Sequence, residues 1–248
     1  MHRFYLPDGI PAEGPVQLPR EIARQVSRVL RMRAGEEIGV FDGSGVQWTL
    51  ELDEVSSRSA GGHVTDVTRP STEPDVHITL YQSLIDATQF ELVLQKGVEL
   101  GVKTFVPVLT ERVRGAGSTG ASEGRQARWG RILQEAAEQS GRVFVPEVES
   151  PVSLEEAVPE TPSGQFIVPW EGETSLSLRE AMGTRETNST KAVSILIGPK
   201  GGLTESEIEF LRGRGAVPVT LGSRILRAET AAIATVSAVL YELGELGG

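Results

Sequence analysis

The chain has 248 residues, is 39% hydrophobic and carries a formal net charge of −10, a composition that suits one large globular domain or two modest ones. It has no run of eighteen apolar residues, and Met1-His2-Arg3-Phe4-Tyr5 lacks the apolar core of a signal peptide, so a cytoplasmic protein without a membrane span is expected. Cysteine is absent, which excludes disulfides, thiolate zinc sites and cysteine nucleophiles, and with them the thiolate-assisted methylation of pyrimidine carbon 5.

Residues 1–70 have the texture of a small β-rich domain. Its first strong pattern is helical, with Ile22, Val26, Val29 and Leu30 as an apolar stripe. Arg20, Arg24, Arg28, Arg31 and Arg33 fall within fourteen residues against a single Glu21, a local net charge of +4. The first four stand at spacings of four, four and three, which places them on one helical face. Two readings stand: a solvated helix surface, or a strip that tracks phosphate, for which arginine is well suited. Ile38–Phe41 and Val46–Leu52 flank Asp42-Gly43-Ser44-Gly45 as a hairpin, and Gly61-Gly62 predicts a turn before a strand at His63–Val67. Arg69-Pro70-Ser71-Thr72-Glu73-Pro74-Asp75 reads as a linker, giving domains 1–70 and 75–248.

Beyond the linker, strands and helices alternate. Strands are predicted at Val76–Gln82, Thr104–Leu109, Gln165–Val168, Val193–Ile197 and Val217–Thr220, and helices at Ala87–Gly101, Ala127–Ser140, from Thr204, and over Ile225–Leu243. Arg114–Gly124, rich in Gly and Ser, is expected to be a mobile loop. Such alternation makes an α/β domain with a largely parallel sheet. The three histidines, His2, His63 and His77, are scattered, so no metal site is expected.

Two glycine-bearing turns close buried strands in the last quarter: Gly198-Pro199-Lys200-Gly201-Gly202 and Leu221-Gly222-Ser223. The carboxyl ends of strands are where open α/β sheets hold ligands. The first turn is neither a nucleotide P-loop nor Gly-x-Gly-x-x-Gly. It is a plain tight turn, or a place where backbone approaches a ligand and the free N–H groups of the next helix bind a polar edge. After the second turn, Arg224, Arg227 and Glu229 stand at the mouth of an apolar helix, either as surface charge or as site residues.

Leu196-Ile197-Gly198-Pro199-Lys200-Gly201-Gly202-Leu203-Thr204-Glu205-Ser206-Glu207 followed by Leu221-Gly222-Ser223-Arg224-Ile225-Leu226-Arg227-Ala228-Glu229-Thr230-Ala231 resembles the RsmE family, the 16S ribosomal RNA uridine-N3 methyltransferases of the SPOUT superfamily. Leu30–Glu36 with Phe41–Gly45, Gln95–Val102, Thr110-Glu111-Arg112, Arg128-Trp129 and Glu135–Arg142 extend the resemblance over nearly the whole chain. It implies an N-terminal PUA-like β-barrel that holds RNA through the arginine cluster. It also implies a SPOUT domain with a deep C-terminal trefoil knot, a homodimer, and 16S rRNA or the small ribosomal subunit as partner. Carried over by motif, Pro169, Gly198, Gly201, Gly202, Leu221, Gly222, Ile225, Leu226 and Arg227 would bind S-adenosylmethionine.

Methyl transfer from a sulfonium needs no metal. Uridine N3 must lose its proton, so Arg227 and Arg224 are candidates to stabilise the uracil anion, and Glu229 to orient an arginine or accept the proton. The alternatives are a SPOUT methyltransferase for another tRNA or rRNA nucleotide, and a non-catalytic RNA-binding relative. The chain departs from the family pattern at Lys200, where Glu is usual, and near Ile85-Asp86-Ala87, where a basic residue is common. A cation ~4 Å from the sulfonium would be repelled by about 4 kcal/mol at an effective dielectric near 20. Lys200 is therefore expected to point away from the sulfur, toward RNA phosphate or the uracil anion.

Overall fold

The computed structural model describes residues 1–11, 14–114, 123–161, 163–183 and 192–247; the expected Gly/Ser loop lies mostly outside these, at 115–122. The chain divides into two units, Met1–Glu73 with Ala137–Val145, and Pro74–Ala136 with Pro146–Gly248.

In the first unit, strands His2–Tyr5 (β1), Val16–Gln17 (β2), Glu37–Phe41 (β3), Gln47–Val55 (β4) and Ala60–Thr68 (β5) form one sheet in the order β1-β3-β4-β5-β2. β3 and β4 make the expected hairpin, with Val40 opposite Trp48. The predicted turn at Gly61-Gly62 is instead part of β5, and the reversal lies at Ser56–Ser59, closed by the Ser56 N–H donating to Ser59 O at 2.8 Å. The glycines serve a different need there. A Cβ on Gly62 would overlap Glu51 O, and one on Gly61 would stand 2.7 Å from Val16 O, so both neighbouring strands require a bare backbone. Phe4, Val16, Ile38, Val40, Leu50 and Leu52 form the core, joined by Ile22 and Val26.

The arginine helix differs from the expectation. Arg20–Arg24 (α1) runs into a π-helical turn, Gln25–Val29, and Arg31 then takes a left-handed φ of 56°. The wider turn breaks the four-residue repeat, and the left-handed residue ends the helix, so Arg31 and Arg33 do not continue the face of Arg20 and Arg24. All five arginines are exposed. Val29, expected in the apolar stripe, is 71% exposed, because the π turn rotates it away from Ile22 and Val26.

Ala137–Val145 gave no sign in sequence of belonging to this unit. It is held by the Tyr5 N–H donating to Glu138 Oε1 (3.0 Å), Arg3 Nη2 donating to Arg142 O (2.9 Å), and a buried pair between Arg142 and Glu73 at 2.6 Å.

The second unit is a sheet whose pairings are all parallel. His77–Ser83 (β6), Thr104–Leu109 (β7), Glu147–Val148 (β8), Val152–Ser153 (β9), Gln165–Pro169 (β10), Ala192–Ile197 (β11) and Val217–Val219 (β12) run in the order β12-β10-β11-β6-β7-β8, with β9 also on β7. Helices Ala87–Glu99 (α2), Glu111–Arg114 (α3), Glu123–Ser140 (α4), Leu154–Ala157 (α5), Leu178–Gly183 (α6), Glu205–Gly213 (α7) and Ala228–Glu242 (α8) connect or cover it. β7, β10 and β11 read as near-continuous apolar runs because they are buried nearly end to end, whereas β6 also buries the polar Gln82 and Ser83.

The chain walks outward from β6 to β9, returns to lay down β10 on the other side, and then inserts β11 between β10 and β6. This reversal of order brings the carboxyl ends of β10, β11 and β12 side by side, with Ile167 beside Ile195 and Pro169 beside Val219. α8 begins at Ala228 rather than at the predicted Ile225, so Leu221–Arg227 is a loop. Ile225 is 83% exposed there. Its apolar character extends the helical pattern in sequence without any burial to make it helix.

Candidate functional site

The loops after β10, β11 and β12 enclose a cavity of about 730 Å³, within the ~300–1,000 Å³ range of small-molecule sites. Pro169, Gly198, Gly201, Gly202, Leu221, Gly222, Arg224, Ile225, Leu226, Arg227 and Glu229 all line it. The sequence candidates outside the arginine strip are therefore brought together on one surface. Trp170, Glu173, Thr174 and Gln89 add to the wall. Trp170 directly follows Pro169, one of the sequence candidates. Glu173, Thr174 and Gln89 did not stand out, being ordinary polar residues beside no glycine.

Each loop is shaped by local chemistry. After β11, the Gly202 N–H donates to Pro199 O at 2.9 Å, and Gly202 has φ +74°, the left-handed region that glycine enters without strain. Side chains from three other segments meet this turn. Arg112 Nη1 donates to Gly201 O, the Glu171 carboxylate lies where a Cβ of Gly202 would stand, and Lys200 Nζ pairs with Asp86. Lys200 lines the cavity, and its partner is a carboxylate of this chain, where RNA phosphate or the uracil anion was expected. Asp86 is the N-cap residue of α2 and makes no side-chain bond to that helix, which leaves its charge for Lys200.

The start of α7 is capped by its own side chains. Thr204 accepts from the Glu207 N–H and Glu207 Oε2 accepts from the Thr204 N–H, a reciprocal cap. Glu207 Oε1 also accepts from the Glu111 N–H at 2.8 Å, tying the loop after β7 to α7. α8 is different: its N-cap is Arg227, whose side chain caps nothing, and the helix opens onto the cavity.

After β10, Glu173 accepts from the N–H groups of Ser175 (2.8 Å) and Leu176 (3.1 Å) and from the Ser175 hydroxyl (2.6 Å). These bonds, the Ser175 hydroxyl first, hold its carboxyl at about 2, well below the usual carboxylate range. Arg212 adds a looser contact to Glu173 at 3.8 Å, with its guanidinium 6.0 Å from the Trp170 ring.

Glu229 Oε2 is buried and has no hydrogen-bond partner. Among the described residues no Arg224 or Arg227 side chain hydrogen-bonds this oxygen. Arg224 and Arg227 are exposed at the cavity rim. The described residues contain no group of three or more His, Asp or Glu able to hold a metal ion.

A parallel sheet with a switch in strand order and a glycine-walled cavity at that switch defines a nucleotide-cofactor enzyme of the α/β class. The family model of the RNA methyltransferase domain matches residues 72–240, and that of the RNA methyltransferase PUA domain matches residues 27–60. The chain is 32% identical to ribosomal RNA small subunit methyltransferase E of Synechocystis, over 92% of this chain and 74% of that protein. It is 31% identical to the Bacillus subtilis protein of the same name, over 92% of this chain and 90% of that protein. A crystal structure of the Neisseria gonorrhoeae methyltransferase E bound to S-adenosylmethionine superposes with a TM-score of 0.83 at 36% identity, covering 97% of both chains. The chain belongs to the ribosomal RNA small subunit methyltransferase E family.

Proposed function

We propose that this protein methylates N3 of a uridine in the 16S RNA of the small ribosomal subunit, using S-adenosylmethionine. Relatives named for small-subunit RNA methylation span most of the chain, and one is crystallised with that cofactor. The observation that carries the reading is the cavity: three strand-end loops converge on it, and two of them offer bare glycine backbone. Its fit to the cofactor is chemical as well. Ile197, Leu203, Leu221 and Leu226 give apolar wall for an adenosyl group, and the sealed Glu229 oxygen lacks a donor until something binds.

When bound, the cofactor supplies an activated methyl group. The protein's part is to hold N3 about 3–3.5 Å from the methyl carbon and in line with the breaking bond. Arg227 and Arg224 stabilise the anionic base as N3 loses its proton. Glu229, whose Oε2 is sealed and unpartnered, takes that proton directly or through water, and the absence of an arginine on that oxygen favours this over the orienting role. Gly198, Gly201, Gly202, Pro169, Leu221, Gly222, Ile225, Leu226 and Arg227 form the cofactor wall.

Residues 1–70 form a PUA-like RNA-binding barrel, with Arg20, Arg24, Arg28, Arg31 and Arg33 on phosphate, and 75–248 the SPOUT domain. The trefoil knot is supported by the insertion of β11 between β10 and β6. Homodimer formation fits the small residues Ala231, Ala234 and Ala238 on α8, which permit close helix packing. A cytoplasmic location fits the RNA substrate; no described helix is long and apolar enough to cross a membrane. The test is calorimetric titration with S-adenosylmethionine, followed by mass spectrometry of 16S RNA fragments after incubation with enzyme and labelled cofactor. A label on a nucleotide other than uridine, or on carbon rather than N3, overturns the assignment.

A further inference from the structure

We infer that Gln89 is a base-recognition residue of this methyltransferase, its carboxamide hydrogen-bonding the edge of the uracil presented to the cofactor. The inference rests on the reading of the cavity as the methyl-transfer site.

Three observations carry it. Gln89 lies in the first turn of α2, and among the described lining residues it alone comes from outside the three strand-end loops and the start of α8. If those loops and their glycines take up the cofactor, Gln89 marks the side left for the second reactant. Its Oε1 is sealed from solvent and has no hydrogen-bond partner. A buried acceptor left without a donor is costly, so a partner that arrives with the substrate accounts for it. The other orphaned side-chain oxygen on the cavity wall is Glu229 Oε2, carried by the first turn of α8, and α2 and α8 pack against each other.

The chemistry of this pair matches an imide. A uracil edge is one N–H donor between two carbonyl acceptors. A glutamine carries a donor and an acceptor on one planar group that turns end for end about its last torsion, and a carboxylate only accepts. Glu229 facing N3–H and Gln89 turning its Nε2 to a flanking carbonyl would satisfy both groups. The glutamine bond would strengthen as negative charge spreads onto that carbonyl during proton loss. Cytosine has no proton on N3 to give to Glu229, so it cannot make the full arrangement. Gln89 touches substrate in this scheme and moves no proton.

The experiment uses the full-length protein and a 16S RNA substrate that the wild type methylates. Gln89→Ala is expected to lower kcat/KM for RNA about tenfold or more while the Kd for S-adenosylmethionine stays within twofold. A second arm replaces the target uridine by 4-thiouridine, whose sulfur is a poor acceptor. The fold-loss from sulfur should be several times larger in the wild type than in Gln89→Ala, and intermediate in Gln89→Asn. A cofactor Kd that rises in step with the loss of kcat/KM makes Gln89 part of the cofactor wall and overturns the inference. Equal sulfur effects in wild type and Gln89→Ala, at the carbon-2 as well as the carbon-4 position, also overturn it. Should the wild type itself bind no S-adenosylmethionine, the reading of the cavity fails, a result separate from both.

Discussion

Gly202→Ala is the sharpest probe of the turn that walls the cavity. Gly202 sits at φ +74°, where an L-residue costs about 1–2 kcal/mol. Its new Cβ would overlap the Glu171 carboxylate and lie 3.3 Å from Arg112 Nη1. Glu171 is exposed and can swing aside, so the backbone carries most of the penalty. The penalty has two outlets. If the turn keeps its left-handed shape, the apo protein loses the 1–2 kcal/mol, a fall in Tm of about 2–8 °C for a chain of this size. If the turn relaxes, it must be rebuilt on binding, and the Kd for S-adenosylmethionine rises about 5–30-fold. Differential scanning fluorimetry and calorimetric titration read the two outlets, and Glu171→Ala in the same background should recover little of either. Gly130→Ala is the control: it lies in α4 with open space around it, and should raise stability by about 0.5–1 kcal/mol without touching affinity. Wild-type stability together with wild-type affinity in Gly202→Ala would refute the claim that this turn needs glycine.

Lys200→Glu should weaken cofactor affinity by no more than about fivefold, since an exposed pair contributes at most ~1 kcal/mol. Asp86→Lys in the same chain should restore it, and a double mutant no better than the singles would show that the pair does not hold the turn. Ser175→Ala removes the largest cause of the low Glu173 value, so the Glu173 carboxyl should titrate closer to the usual carboxylate range. Because that value is depressed, the stability it brings to the loop is present above the ordinary range, falls as pH drops below about 4.5, and is lost by about 2 in the wild type. Carboxyl NMR shifts would check this, and a midpoint still near 2 in the variant would contradict it. Replacing Arg20, Arg24 and Arg28 by Ala should lower the slope of log Kobs against log salt by about 0.7 for each single-stranded phosphate that these side chains neutralise, measured by filter binding. Arg31→Gly should lower it as well, with no loss of stability, because residue 31 already has a φ of 56°.

The strands of the second unit were legible because burial on both faces writes itself into sequence as an apolar run. Thr104–Leu109 is observed with the predicted bounds, and β6, β10 and β11 shift by a residue. Errors came where distant backbone decides local shape. Gly61 and Gly62 look like a turn, yet they admit the carbonyls of Val16 and Glu51, which local sequence cannot announce. The arginine repeat assumes a regular helix, and the π turn at Gln25–Val29 removes that assumption. The site was legible in part for a related reason. Its glycines stand next to one another along the chain, so two short motifs reveal most of one wall. Gln89 acquires meaning only once α2 lies on α8, and no spacing rule joins it to Glu229.

Lys200 shows how such long-range placement changes a functional conclusion. Read alone, a cation in the glycine turn argues against holding a sulfonium and encourages the idea of an RNA-binding relative without activity. The structure puts the Asp86 carboxylate against it, across 114 positions of sequence, with both side chains more than half exposed. A cation with a carboxylate at contact and water around both acts at a distance as a small dipole in high dielectric, not as the isolated charge behind the ~4 kcal/mol figure. Repulsion of the cofactor is then no longer a reason to expect inactivity. On the wall of this cavity the Glu229 Oε2 atom is sealed and has no hydrogen-bond partner. A carboxylate on that wall favours a positively charged methyl donor, so the electrostatics of the cavity do not oppose S-adenosylmethionine despite the lysine in its rim.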